Sequence, residues 1–150
     1  MIIFLDIDGV LTSARTWYAL DRHYGGMIWR ALDPIAVGLI NGFCKDYKYQ
    51  IVISSSWRTH PDCWSDLKKG GLNMNLIHSD WRTTSEQKSW MRGYEIEAWL
   101  KRNNKLDTKY IILDDDQDFL PEQKPRLVLT NSDNGLMMDD YRKMRNLLIS

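Results

Sequence analysis

The stretch Ile2-Ile3-Phe4-Leu5-Asp6-Ile7-Asp8-Gly9-Val10-Leu11-Thr12 decides the fold. Its first four residues are apolar without alternation. That suits a short strand buried on both faces, the central strand of a parallel sheet. The run stops at Asp6, and Asp8 follows two residues later. Two carboxylates at that spacing can share one site without being equivalent. Gly9 lets the chain turn abruptly and lets backbone amides approach an anion. The same pattern, an apolar strand running into oxygen ligands, recurs twice. Ile51-Val52-Ile53 ends in Ser54-Ser55-Ser56, and the strand expected over 109–113, apolar in Ile111-Ile112-Leu113, ends in Asp114-Asp115-Asp116.

Around these strands the remaining elements fall into order. Residues 9–32 carry Gly9, Gly25, Gly26 and several aromatics without clean periodicity, and read as a flap or small hairpin rather than a helix. Asp33-Pro34 is a helix start, an acidic cap with proline in the first helical position. Ile35, Leu39, Ile40 and Phe43 follow at helical spacing. A short helix is expected over 61–69, closed by Gly70-Gly71, and a weak third strand at Leu76-Ile77. Residues 89–102 read as a helix with Tyr94, Ala98 and Met91 on its inner face. A fifth strand is expected over 126–129 and a closing helix over 137–148. Five strands interleaved with helices imply an α/β domain: a three-layer, Rossmann-like arrangement with a mainly parallel sheet and helices on both faces. Such sheets bind ligands beyond the carboxyl ends of their strands. Asp6, Asp8, Ser54, Ser55, Asp114, Asp115 and Asp116 should therefore converge on one edge.

Composition agrees with one globular domain spanning 1–150. The chain has 150 residues, 43% hydrophobic and 27% charged, with 20 basic residues against 20 acidic ones. The balance argues against strong non-specific DNA binding. No apolar run approaches the ~20 residues of a membrane span. The opening residues show no basic leader or cleavage site, so a cytoplasmic protein is expected. Cys44 and Cys63 are the only cysteines and lack metal-type spacing, which reads as two reduced thiols. Seven tryptophans, Trp17, Trp29, Trp57, Trp64, Trp81, Trp90 and Trp99, should mostly line the core or a cleft, with one or two free to stack on a flat ligand. His23, His60 and His78 have no partner pattern and read as surface or core residues. A calcium loop starting at Asp6 is excluded, because its fifth and twelfth positions hold Val10 and Trp17.

Clustered carboxylates repel one another unless a cation sits among them, and hard oxygen ligands without His or Cys indicate Mg²⁺ rather than zinc. At this point the chain resembles the haloacid dehalogenase superfamily of aspartate-nucleophile phosphatases. Asp6-Ile7-Asp8-Gly9-Val10 is similar to its first motif, Ser54 or Ser55 to its second, Arg92 (with Lys88 in reserve) to its third, and Asp114-Asp115 to its fourth. Asp118 fits a wider-spaced version of the fourth motif and is expected to stand behind the pair. The resemblance implies that Asp6 attacks phosphorus and that Asp8 protonates the leaving oxygen and then activates water. It implies Mg²⁺ held by Asp6, the Asp8 carbonyl, and Asp114 or Asp115. It also implies phosphate oxygens held by Ser54 or Ser55 and by Arg92. Gly9 offers backbone amides to the same anion. Arg58, just past the second strand, is a further phosphate candidate or a surface arginine.

Ser54-Ser55-Ser56-Trp57-Arg58, Arg92-Gly93-Tyr94-Glu95-Ile96 and Leu113-Asp114-Asp115-Asp116 narrow the resemblance. They are similar to the small phosphatase domains linked with RNA repair proteins and, in layout, to polynucleotide kinase-phosphatases and small deoxyribonucleotidases. The 9–32 flap takes the place of a full cap domain. By resemblance, capless members act on large substrates such as nucleic-acid ends or proteins, or on nucleotides under a small lid. Aromatics Trp17, Tyr18, Tyr24 and Trp29, with Arg15, Arg22, Arg30 and Arg58, suit a base and a phosphate. A nucleotide or a single polynucleotide end fits these residues and the neutral net charge. A phosphoprotein or metabolite phosphatase and a silent phosphate-binding module are the alternatives. A receiver domain is disfavoured, since receivers carry their phosphoacceptor on the third strand and residues 72–80 lack a plausible one. The sequence leaves oligomeric state open, and a second subunit could complete an exposed flap.

Overall fold

The computed structural model describes residues 1–24, 31–85 and 90–149, with residues 20–24 as backbone only. Five strands, β1 (Ile2–Leu5), β2 (Gln50–Ile53), β3 (Ile77–Arg82), β4 (Tyr110–Asp114) and β5 (Leu127–Leu129), form one sheet in the order β3-β2-β1-β4-β5. Every pairing is parallel. The strand Ile2–Leu5 lies in the middle, paired residue for residue with Gln50–Ile53 on one side and Tyr110–Leu113 on the other. From β1 the chain winds outward to β2 and β3, then returns across the sheet to β4 and β5. The carboxyl ends of β1 and β4 therefore flank the crevice where the winding direction reverses, the place where open α/β sheets hold ligands.

Alternate strand residues point to opposite faces and build two separate cores. Ile3, Leu5, Ile51, Ile53, Ile111 and Leu113 pack against helices α2 (Pro34–Tyr47), α3 (Cys63–Lys69) and α5 (Met138–Ile149). Ile2, Phe4, Val52, Tyr110 and Ile112 pack against Ile96, Trp99 and Leu100 of α4 (Arg92–Arg102). The expected three-layer architecture with a parallel sheet and helices on both faces is what the chain adopts. Helix α2 begins as read: the Asp33 side chain accepts from the Ile35 amide at 2.9 Å and Pro34 opens the first turn.

Several local expectations are corrected. Part of the 9–32 segment is helical, as α1 (Ala14–Tyr24). Ser13 starts it by accepting the Thr16 amide at 3.1 Å on its hydroxyl, a capping signal obscured by the aromatics and glycines that follow. The third strand is longer and more polar than Leu76-Ile77, because it is an edge strand with one partner. On α2 Ile35 is 66% exposed, and Ala36, Val37, Ile40, Phe43 and Cys44 form the buried stripe. On α4 Tyr94 is exposed and the inner face is Ile96, Trp99 and Leu100, since burial follows the Phe4 side of the sheet. The helix starts at Arg92, later than expected; Trp90 and Met91 precede it, and Ser89 lies outside the described residues.

The tryptophans are less internal than expected. Trp99 is fully buried, edge-on to Phe4 with centroids 5.4 Å apart, and its indole N–H donates to the Asp80 carbonyl at 3.0 Å. Trp17, Trp64 and Trp90 are exposed, while Trp29 lies outside the described residues. Cys44 and Cys63 are both buried and neither is in a disulfide; burial pushes the Cys44 thiol up to about 12. No helix among the described residues is long and apolar enough to cross a membrane. Because Trp99 anchors α4 to the sheet, Trp99→Ala should cost about 3–5 kcal/mol, measured as a lowered urea midpoint with unchanged far-UV signal in the folded baseline.

Candidate active site

The sheet's central strand delivers Asp6 directly into the crevice. Asp6 is buried, and its amide continues the ladder by donating to the Leu113 carbonyl at 3.0 Å. After it the chain folds tightly: the Ile7 carbonyl accepts from the amides of Val10, Leu11 and Thr12 at 2.8–3.1 Å. Gly9 adopts φ +75°, and a Cβ there would come within 2.3 Å of the Asp115 carboxyl. Glycine is thus required both for the turn and for the approach of Asp115. Thr130, buried just past β5, ties this loop to the fourth motif: its hydroxyl donates to the Gly9 carbonyl at 2.8 Å and its amide to the Asp114 carbonyl at 2.9 Å. Sequence reasoning missed Thr130, because nothing local marks a lone threonine after a short strand.

Carboxylate oxygens of Asp6, Asp114 and Asp115 lie within 4.8 Å of one another. Asp114 is fully buried, and its Oδ1 accepts from the Asp116 amide at 2.9 Å. Burial and the Asp6 charge push the Asp114 carboxyl up to about 7, against the pull of Arg92. Burial and Asp6 likewise raise Asp115. Three hard oxygen donors, one half-exposed and two buried, suit a small divalent cation such as Mg²⁺. The Asp8 carboxylate stands outside this trio. It is exposed, accepting from the Thr12 hydroxyl at 3.1 Å and from the Trp57 indole N–H at 3.0 Å. Two carboxylates two residues apart are thereby given different surroundings. Trp57 is a second residue that sequence reasoning did not assign to the site.

Arg92 joins the acids, as its motif position implied. Its Nη1 lies 3.1 Å from Asp6 Oδ2 and also bonds Asp114 Oδ2. Burial works against its charge, but Asp6 and Asp114 outweigh that and raise its pKa above the ordinary arginine value. Its position is set by the start of α4. Asp118 accepts the Arg92 amide on Oδ2 and the Gly93 amide on its carbonyl, both at 3.1 Å. Asp118 therefore stands behind the pair, capping α4. Gly93 allows the close fit, since a Cβ there would meet Gln123 Oε1 at 2.6 Å. Lys88 lies outside the described residues.

The two serines separate in role. Ser54 is fully buried beside Leu5, with its amide on the Leu5 carbonyl at 3.0 Å and no hydrogen-bond partner for its hydroxyl among the described residues. Ser55 spends its hydroxyl on the Trp57 amide at 3.3 Å, capping the 3₁₀ turn Ser56–Thr59. Arg58 does not present its terminal amines to the acid cluster. Nη1 donates to the carbonyls of Ser54 and Ser55 at 2.9 and 2.8 Å, and Nη2 to both carboxylate oxygens of Glu95 at 2.9 Å. Those four bonds make Arg58 a brace between the Ser54 turn and α4, and neither of the two earlier readings (phosphate ligand or surface arginine) describes them. His60 pairs with Asp62, and His78 packs edge-on against Trp99. The side chain of His23 lies outside the described residues.

A cavity of about 340 Å³ opens beside Asp8, lined also by Thr12, Ser13, Thr16, Trp17, Asp115 and Ser132. Trp17 is 47% exposed and meets Tyr18 edge-on. Arg15 is held by Asp33 at 3.0 Å, and the side chains of Arg22 and Tyr24 and all of Arg30 lie outside the described residues.

Over residues 2–141 the chain matches the family described as the HAD domain in Swiss Army Knife RNA repair proteins. No curated protein and no solved structure matches it. The chain belongs to that HAD family, which implies a phosphatase-type function in RNA repair.

Two outcomes are expected from this geometry. Glu95→Ala strands the buried Arg58 charge and should cost about 3–5 kcal/mol, while the double change Arg58→Met, Glu95→Leu should cost less, both read by urea unfolding. Asp114 binds its proton more tightly folded than unfolded, so in EDTA its contribution to stability is lost as pH rises from about 4 to about 7. The stability of Asp114→Asn relative to the unsubstituted protein should rise across that window and level off above it.

Proposed function

We propose that this chain is a Mg²⁺-dependent phosphomonoesterase that works through a phosphorylated Asp6, on a nucleotide or the phosphorylated end of a polynucleotide. The observation that carries this reading is the division of labour between two neighbouring aspartates. Asp6 is buried among Arg92, Asp114 and Asp115, whereas Asp8 is exposed, hydrogen-bonded and open to a cavity. Asp6 attacks phosphorus, and the ester P–O bond breaks as Asp8 gives its proton to the leaving oxygen. Asp8 then takes a proton from water, which attacks the phosphorus, releases inorganic phosphate and restores the Asp6 carboxylate. Ser54 Oγ, buried without a partner, and Arg92 hold the non-bridging oxygens. Asp6, Asp114 and Asp115, with the Asp8 carbonyl, would hold Mg²⁺, which when bound offsets the charge of the phosphoryl group.

The cavity beside Asp8 takes the leaving group. An exposed indole and four hydroxyls, with no Lys or Arg lining it among the described residues, suit a neutral sugar and a flat base. In this reading residues 1–150 act as one domain, and residues 9–32, α1 included, serve as a small lid in place of a cap. Two buried cysteines outside any disulfide accord with work in a reducing cytoplasm. Phosphate release should be assayed on nucleoside monophosphates and on 3′- and 5′-phosphorylated oligonucleotides. Activity should vanish with EDTA and in Asp6→Asn, and kcat should fall about 100-fold in Ser54→Ala. Release that persists in Asp6→Asn would exclude the phosphorylated aspartate.

A further inference from the structure

A second pocket, of about 300 Å³, lies at the amino edge of the sheet, opposite the edge that carries Asp6. Its polar lining is Tyr49, Lys109, Tyr110, Glu122 and Arg126. These residues come from the starts of three strands. Tyr49 precedes β2, Lys109 precedes β4, Tyr110 opens β4, and Arg126 precedes β5. Tyr110 pairs with Ile2, at the far end of β1 from Asp6. At about 3.3 Å per strand residue, that end of β1 is roughly 13 Å from Asp6. The pocket is therefore separate from the candidate active site.

Its donors are gathered and unspent. Tyr49 is 2% exposed and Tyr110 8%, and neither hydroxyl makes a hydrogen bond among the described residues. Buried hydroxyls normally have partners, so two unpaired ones at one pocket call for a ligand or water. Burial and Cys44 raise the Tyr49 phenol, and burial and Glu122 raise that of Tyr110, so both stay neutral donors. The Arg126 charge pulls the other way on each, which brings one guanidinium near both. That guanidinium lies over the Tyr110 ring at 4.5 Å. Neither Arg126 nor Lys109 forms an ion pair among the described residues, and Glu122 on the lining meets neither. The backbone beneath them is fixed. The Lys109 carbonyl accepts the Ile2 amide at 3.1 Å, and the Arg126 amide donates to the Gln123 carbonyl at 2.9 Å.

We propose that this pocket binds a phosphate dianion, free or as the terminal group of a small ester, at a site that does no chemistry. Two cations match its two charges. Lys109, Arg126 and two phenols offer donors from three strand ends, which suits the several oxygens of a tetrahedral anion better than the two of a carboxylate. The pocket binds without reacting, because Asp6, Asp114 and Asp115 are the one acid group among the described residues able to hold a cation. A bound anion ties the starts of β2, β4 and β5 together and stabilises the folded chain. The proposal stands apart from the phosphatase reading.

The test is an NMR titration of the metal-free protein in EDTA with inorganic phosphate, chloride holding the ionic strength constant. The amide signals of Lys109, Tyr110 and Arg126 should follow one saturable curve. Arg126→Gln should weaken that affinity about tenfold or more, and Tyr49→Phe about threefold. Tyr49→Phe should leave the urea midpoint unchanged, since the hydroxyl it removes has no partner. It keeps the test decisive should Arg126→Gln unfold the chain by uncovering Tyr110. Methyl phosphate serves as the ester. Tighter binding of methyl phosphate points to an ester, tighter binding of inorganic phosphate to the free anion, and either upholds the site. Three results overturn it: no saturable shift at these residues, an affinity unchanged in Tyr49→Phe and Arg126→Gln, or tighter binding of malonate than of either phosphate. No readout depends on turnover, so a failed phosphatase assay leaves the result standing.

Discussion

The arrangement depends on holding carboxylates together that would otherwise repel one another. Asp6, Asp114 and Asp115 arrive from two adjacent parallel strands whose register is fixed by four consecutive residue pairs. The backbone thus forces the acids into proximity, and Arg92 supplies the opposing charge on the protein's side. A guanidinium between two buried carboxylates is stabilising only where its geometry is fixed, since desolvation works against all three groups. That requirement explains the attention the fold gives to the first turn of α4. Asp118 caps it, Gly93 lets it pack against Gln123, and the Trp99 indole pins the following turn to Asp80.

Arg58 and Glu95 extend the same logic one layer outward. Their bidentate pair is buried, and buried pairs are poor sources of net stability. What this pair does is geometric. One end grips the carbonyls of Ser54 and Ser55, and the other grips α4 one turn beyond Arg92. The turn that carries Ser54 and the helix that carries Arg92 are thereby locked in one relative position. A phosphoryl group held from two sides by groups on different elements needs such a lock, because misplacement of either donor weakens both contacts.

The fold was legible because its strands are short, uniformly apolar and stopped by oxygen ligands. Ile2–Leu5, Ile51–Ile53 and Ile111–Leu113 could be recognised without any tertiary information, as could Asp6, Asp8 and the Asp114-Asp115 pair beyond them. Legibility fell where tertiary contacts decide. Helix α1 hides behind glycines and aromatics, and its cap Ser13 is one of many serines. The polar β3 carries no hydrophobic signature because it has a single neighbour. The choice between Ser54 and Ser55 turns on which hydroxyl the local turn consumes, and only the three-dimensional turn shows that Ser55 is spent on Trp57. Arg58 looked like a phosphate ligand because it follows the second strand, but its true partner, Glu95, is 37 residues away.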